Sequence, residues 1–477
     1  MNSVPATARL SWLEKISYGV GDMGFNFYWA NIATFLMFFY TDVFGISAAS
    51  AGSMLALIKI VNAFTDPMIG ATADRTRTRF GKFRPYLAWM ALPLASAGVL
   101  TYTTPNLGQD GKLVWAYATY LFMMVSYTGI NIPYNALSGV ISNDAQERST
   151  VNGLRFLFAF TGSLLVTGAT PHLVKWLGHG NEKLGWQMTM VFWGVVASCI
   201  FLFTFFNTRE RITPAPTQKS AVWEDLRDLS RNGPWLALFA LSLIIMLTIT
   251  LRTATAAYYF KYYVTRPELT LLSIAGHRLT LGSASFVPTY MAAAAIGASI
   301  APLLTRLLDK RKLLMILMTA TGCLSLAFFF VPSDGIVWMF ALQLMIGLVL
   351  GPKSPLAWSM YADTADYNEW RTGRRATAMT FAAATFSQKL GTALAAAMIG
   401  WVFTALGYVA NKPQTSRSQT GIVLLMSIIP AVFAFLAVAV MLFYRLDNQQ
   451  MTRIQTDLSE RKEKLSHAPS GLAPSRL

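Results

Sequence analysis

Charge is what this 477-residue chain has least of. Asp, Glu, Lys and Arg make up 13% of it, against about 25% in a typical soluble domain. Cysteine is almost missing: Cys199 and Cys323 are the two, both inside apolar runs, so no disulfide framework is expected. The four histidines, His172, His179, His277 and His467, are scattered over connections and tail without metal-ligand spacing. No GxxxxGK[ST] loop occurs, which argues against a pump that runs on ATP. No enzyme-like constellation, metal site or cofactor is expected.

What the chain does have is hydrocarbon. Hydrophobic residues are 54% of the total, and the mean hydropathy is +0.43. Runs such as "MTMVFWGVVASCIFLFTFF" and "GIVLLMSIIPAVFAFLAVAVMLFY" are continuous rather than alternating. Only helices or closed barrels satisfy the backbone in lipid, and continuous runs indicate helices. The chain is therefore expected to be an all-α polytopic membrane protein. Window reading gives twelve spans at roughly 14–42, 46–72, 85–104, 112–140, 149–175, 186–208, 234–264, 283–308, 312–331, 335–362, 376–406 and 419–445. Residues 1–13 are polar and lead straight into the first span, with no cleavable leader apparent.

The net charge of +16 sits mainly in connections after even-numbered spans: Arg75 to Arg84, Arg209 to Arg231, Lys310 to Lys312, and Arg371 to Arg375. The positive-inside rule then puts both termini in the cytoplasm. The basic balance reports topology, not nucleic-acid binding. The polar segment "NTRERITPAPTQKSAVWEDLRDLSRNGP" divides the chain. The expected layout is a six-helix bundle over 1–208, a central cytoplasmic loop over 209–233, a second bundle over 234–445, and a cytoplasmic tail over 446–477. Such six-plus-six plans hold a substrate near the midplane between the halves.

Ionisable residues inside spans are costly and mark functional sites. Asp66 is on span 2, one turn after Asn62 and next to Thr65, so the three can line one small site. A carboxylate in a low-dielectric setting holds a proton more readily than one in water, which suits a cation carrier; a structural, capping Asp is the blander alternative. Lys389, in "TFSQKLGTALAAAMIG", needs a counter-charge, and Asp66 across the halves is a natural one. Snorkelling to an interface is the alternative.

Asp22 and Asn26 share a face of span 1, span 4 offers Tyr127, Thr128 and Asn131, and span 5 offers Arg155. As a set, such amide, hydroxyl, aromatic and charged groups fit a hydrophilic cavity for a sugar; singly, each could be interhelical glue. Arg252 and Lys353 have no acid nearby in sequence, and Trp358 follows on the same span. Two unpaired cations on a cavity would recognise an anionic group. Alternatively, one pairs with Asp22 or Asp66 and the other lies near an interface.

"NAFTDPMIGATADRTRTRFGKFRPYL", "YTDVFG", "NIPYNAL" and "ADTADYNEWRTGRR" together resemble the glycoside–pentoside–hexuronide:cation symporters, the melibiose permease group of the major facilitator superfamily. The resemblance covers nearly the whole chain. It implies the major facilitator fold, an inner-membrane location, a small-molecule sugar as partner and a monomeric carrier. The family's cation site uses two acidic positions one turn apart on span 2. Asp66 matches the second; Asn62 occupies the first, and Thr65 precedes the retained acid. Thr128 and Lys389 match flanking positions. Sodium wants several oxygens with net negative charge, whereas a proton needs one carboxylate, so H+ is the expected coupling ion and Na+ the runner-up.

The family's sugar-binding acids correspond to Asn26 and Asn131, and Arg155 matches its span 5 arginine. Loss of two carboxylates, with Arg252 and Lys353 added, points to a uronide, an oligogalacturonide or a sulfonated sugar. Asp74, Arg75 and Arg79 match the 2–3 motif, and Asp363, Asp366 and Arg375 the 10–11 motif, which implies gating at the inner face. The expectation is an alternating-access sugar importer driven by proton symport. Na+-coupled uptake of neutral glycosides, or a lipid or drug flippase or a non-transporting sensor on the same fold, are the alternatives.

Overall fold

The computed structural model describes residues 10–141, 145–211, 227–266, 268–274, 277–373 and 377–466. Most of the central loop and Arg375 lie outside them. Span 1 is α1 (Trp12–Asn31), which runs on through two wide π-helical segments, Ile32–Leu36 and Phe39–Phe44, and stops at Gly45, where φ is 86°. Only a residue without Cβ takes that backbone cheaply. Span 2 is α2 (Ala48–Arg75). Span 3 is split into α3 (Arg84–Trp89) and α4 (Ala91–Thr101). α5 (Gln109–Val140), α6 (Ala145–Gly178) and α7 (Glu182–Asn207) complete the first bundle.

The second bundle begins with α8 (Gly233–Tyr262). A hairpin of β1 (Glu268–Ile274) and β2 (His277–Gly282) follows, antiparallel with Glu268 opposite Gly282. The all-helical reading did not foresee it, and His277 opens a strand rather than lying in an open loop. Then come α9 (Ser283–Leu307) and α10 (Lys310–Phe328). Span 10 is interrupted at Gly351–Pro352 into α11 (Ile336–Leu350) and α12 (Lys353–Thr372). α13 (Thr377–Ala405) is span 11, and span 12 is α14 (Ser416–Met426) with α15 (Ile428–Met441). The result is the twelve-helix major facilitator fold.

Eight described helical stretches are long and apolar enough to cross a bilayer outright; the others are interrupted or carry the polar residues discussed below. Side chains cap several helix starts: Ser47 Oγ accepts from Ser50 N at 3.1 Å and Asn232 Oδ1 from Trp235 N at 3.1 Å. The segment expected as a free tail contains α16 (Asn448–Ser466). Its Met451, Ile454 and Leu458 are buried against the second bundle, and Trp370 Nε1 donates to Asp457 at 2.9 Å. Spacings of three and four residues put those apolar groups on one face. Cys199 and Cys323 are free and exposed on the helix exterior.

α2 and α13 bring the halves together through small residues. A Cβ on Gly52 would come within 2.6 Å of the Ala396 carbonyl, and one on Gly400 within 2.3 Å of the Ala48 carbonyl. Such close backbone approach is what small residues allow in lipid, where no hydrophobic force drives helices together.

Candidate functional site

The α2–α13 contact places Asp66 opposite Lys389, and the two form an ion pair between the halves. Their side chains are 23% and 22% exposed, so the pair is neither sealed nor in open water. From α5, Thr128 Oγ1 lies 2.9 Å from Asn62 Oδ1 and 3.1 Å from Asp66 Oδ1. Thr65 Oγ1 donates to the Asn62 carbonyl at 2.9 Å and approaches Asn62 Oδ1 at 3.2 Å. All five residues of the span 2 reading thus meet in one cluster drawn from α2, α5 and α13. One end of the Asn62 amide is engaged by two hydroxyls; the other, Nδ2, is buried without a hydrogen-bond partner among the described residues.

The residues expected to face a sugar are only partly gathered. Arg155 Nε on α6 donates to Asp22 Oδ2 on α1 at 3.1 Å, and its guanidinium lies 5.3 Å from the Tyr134 ring centroid. Asn26 Nδ2 bonds the Asp22 carbonyl at 2.8 Å, and its Oδ1 accepts from Ser163 at 3.0 Å. Tyr127 stands edge-on to Phe25, with centroids 5.7 Å apart. Asn131 Oδ1 accepts from Asn135 at 2.9 Å. Trp358 is half-buried, 6.3 Å from the Tyr361 ring.

Arg252 is elsewhere, and the reading of it as an unpaired cavity cation is corrected. It is buried inside the second bundle, where it donates to the Met426 carbonyl and, at 2.8 Å, to Gln343 Oε1, and it covers the Phe328 ring. The space beside it is about 10 Å³, barely room for one water. Its acceptors are neutral groups on other helices, which no scan for nearby acids would find. Lys353 is also buried, yet among the described residues no hydrogen bond or ion pair reaches it.

At the basic, terminus-bearing face, the described ion pairs stay within one half. Lys310 pairs with Asp363 at 2.6 Å, Arg211 with Glu14 at 2.6 Å, and Lys15 with Glu147 at 2.7 Å. An inter-half pair at Asp363 is therefore not the arrangement seen. Asp366 is half-buried one turn beyond Asp363, Arg75 and Arg79 are exposed, and the Asp74 side chain and all of Arg375 lie outside the described residues. The Glu210 carboxylate accepts from the backbone N–H groups of Lys82, Phe83 and Arg84 at 2.8, 2.7 and 2.9 Å, fixing the start of α3.

The opposite face holds a group that the sequence reading missed. Asp42, at the end of span 1, accepts from Lys261 Nζ at 2.8 Å, Tyr408 OH at 2.6 Å, Thr41 Oγ1 at 2.7 Å, and Tyr262 OH. Asn411 closes the ring by accepting from Lys261 at 2.7 Å. Three of these partners belong to α8 and the connection after α13, so one carboxylate ties the halves together. "YTDVFG", "YYFKYY" and "GYVAN" contain the residues, but nothing local pairs them. Beside the latch is a cavity of about 510 Å³ lined by Thr34, Phe35, Phe38, Trp186 and Phe260. None of the sugar or cation candidates lines it.

A profile of the family described as MFS/sugar transport protein matches residues 17–448. The inner membrane symporter YicJ of Escherichia coli (strain K12) is 36% identical over 457 residues, covering 95% of this chain and 96% of that protein. The putative glycoside/cation symporter YagG of the same organism is 33% identical, covering 94% and 95%. Among solved structures, the nucleoside transporter NupG superposes with a TM-score of 0.61 at 12% identity, covering 90% of this chain and 99% of that one; this likeness concerns the fold. The chain belongs to the glycoside–pentoside–hexuronide:cation symporters of the major facilitator superfamily. It is a multi-pass membrane transporter for a small sugar coupled to a cation, not an enzyme.

Proposed function

We propose that this protein imports a glycoside bearing an acidic group by proton symport, with Asp66 as the proton carrier. The observation that carries the reading is the Asp66–Lys389 pair between the halves, buttressed by Thr128, Asn62 and Thr65. No second acid is bonded into this cluster among the described residues. One carboxylate suits a proton, whereas sodium wants several oxygens with net negative charge. Protonating Asp66 removes the charge that holds Lys389, and so loosens the halves at their midplane. Release of the proton on the other side restores the pair.

The positive-inside rule favours a cytoplasmic terminus-bearing face, and the inner membrane named for the relative YicJ supports the same membrane here. The Asp42 latch is then the outer gate, closed here, while the described basic-face pairs hold each half separately. That combination fits a carrier open to the cytoplasm. Asp74, Arg75, Arg79, Asp363, Asp366 and Arg375 re-pair across the halves when the inner side closes. Asp22, Asn26, Tyr127, Asn131, Arg155, Lys353 and Trp358 line the sugar's path. Each site draws on both halves of one chain, so a monomer suffices.

Uptake into vesicles with ΔpH or ΔNa+ imposed separately tests the reading. Accumulation under ΔpH alone, lost in Asp66→Asn, is the expected result. Accumulation under ΔNa+ alone, or by the Asn variant, would show that the coupling site is misassigned.

A further inference from the structure

We propose that Lys59, held against Trp29, is the residue that reads the charge of the sugar; this rests on the symport reading above. Lys59 lies on α2 three residues before Asn62 and seven before Asp66, so the three share a helix face. Trp29 on α1 stands in the same relation to Asn26 and Asp22. α1 and α2 run in opposite senses, so both residues sit on the latch side of the two polar clusters. At 1.5 Å per residue the offset is about 10 Å along each axis. The Lys59 ammonium is 5.7 Å from the Trp29 ring centroid, and this contact joins the two polar faces beneath the Asp42 latch.

Lys59 is 7% exposed, and no hydrogen bond or ion pair reaches it among the described residues. One turn away, Asn62 Nδ2 is also buried, with no partner among the described residues. Two unsatisfied donors side by side call for an acceptor, and a buried cation calls for an anion. The neighbouring cations are spoken for: Lys389 by Asp66 and Arg155 by Asp22. When Asp66 takes a proton, Lys59 and Lys389 both lack a counter-charge. A carboxylate or sulfonate on the sugar supplies one; a neutral hydroxyl does not. The indole beside Lys59 offers a flat face to the sugar ring. Arg252, a buried cation whose acceptors are the Met426 carbonyl and Gln343 inside the second bundle, serves as the comparison.

The test uses purified full-length protein and two probes that differ only at C6, 4-nitrophenyl β-D-glucuronide and 4-nitrophenyl β-D-glucoside. Wild type should bind the glucuronide more tightly. Lys59→Gln should lower that preference about tenfold or more, the equivalent of one charged hydrogen bond, and Lys59→Arg should retain most of it. On wild type, the glucuronide should also shield Lys59 from acetylation more than the glucoside does, a readout that needs no variant to fold. Equal weakening of both probes by Lys59→Gln, equal shielding, or collapse of the preference in Arg252→Met instead would overturn the assignment. A wild type that binds both probes equally would overturn it and leave proton coupling standing. A wild type that binds neither would sink the glycoside reading, and this inference with it.

Discussion

Replacing Asp42 by Asn should open the outer gate. The wild-type carboxylate receives Lys261 at 2.8 Å, Tyr408 at 2.6 Å, and Tyr262, all from the second half. A hydrogen bond to a charged group contributes about 1.5–3 kcal/mol net. Asp42 is fully buried, but Lys261 is 32% exposed, so that bond counts at the low end. Asn keeps the shape and one acceptor oxygen, leaving a loss of about 2–4 kcal/mol. These partners must separate when the halves part outside, so the loss falls on the closed state alone. It shifts the closed-to-open ratio roughly 30- to 700-fold. Thr34 is 2% exposed and lines the cavity beside the latch, which makes Thr34→Cys a reporter once Cys199 and Cys323 are changed to Ser. In right-side-out vesicles an impermeant maleimide should label that cysteine much faster with Asp42→Asn than without. Unchanged labelling in a stably folded variant would show that Asp42 does not hold the gate.

Gly400→Ala should jam the same closure from within, because its Cβ meets the Ala48 carbonyl at 2.3 Å; the variant should insert in the membrane but fail to transport, with the outer reporter labelled rapidly. Arg252→Met leaves Gln343 and the Met426 carbonyl without their donor, so it should cost about 1–3 kcal/mol of stability; a lowered melting temperature with unchanged glucuronide-to-glucoside preference is expected. Leu458→Asp places a charge on the buried face of α16; it should expose the tail helix to limited proteolysis while ion coupling persists. Asp66→Asn should abolish uphill uptake yet leave exchange of substrate across the membrane, measured as counterflow.

Span count and the position of the carboxylate at lipid depth were legible because lipid imposes a one-dimensional rule. About twenty apolar residues per crossing, and a charge that breaks the run, can be read without any partner. The cluster on α2 was legible for a related reason: residues three and four apart on a helix must share a face. The breaks inside spans 3 and 10 were not, since Pro352 follows an apolar run that reads as continuous. Nor was the packing of α16, whose apolar triplet is diluted by charges. Arg252 shows the limit most clearly. Its lack of a local acid was read as a vacancy, but a neutral carbonyl and an amide from distant helices satisfy it.

The sequence alone determined a twelve-span carrier, the orientation expected of it, and a single acid within the apolar part of span 2. Hydrophobic run length and helical periodicity are properties of neighbouring residues. Only the tertiary structure decided who pairs with whom. Lys389 meets Asp66, 323 residues away; Asp42 gathers donors from α8 and the connection after α13; Lys59 is left beside Trp29 with no acid paired to it among the described residues. Those outcomes depend on which helices close against each other, and on small residues such as Gly52 and Gly400 that let the two halves approach.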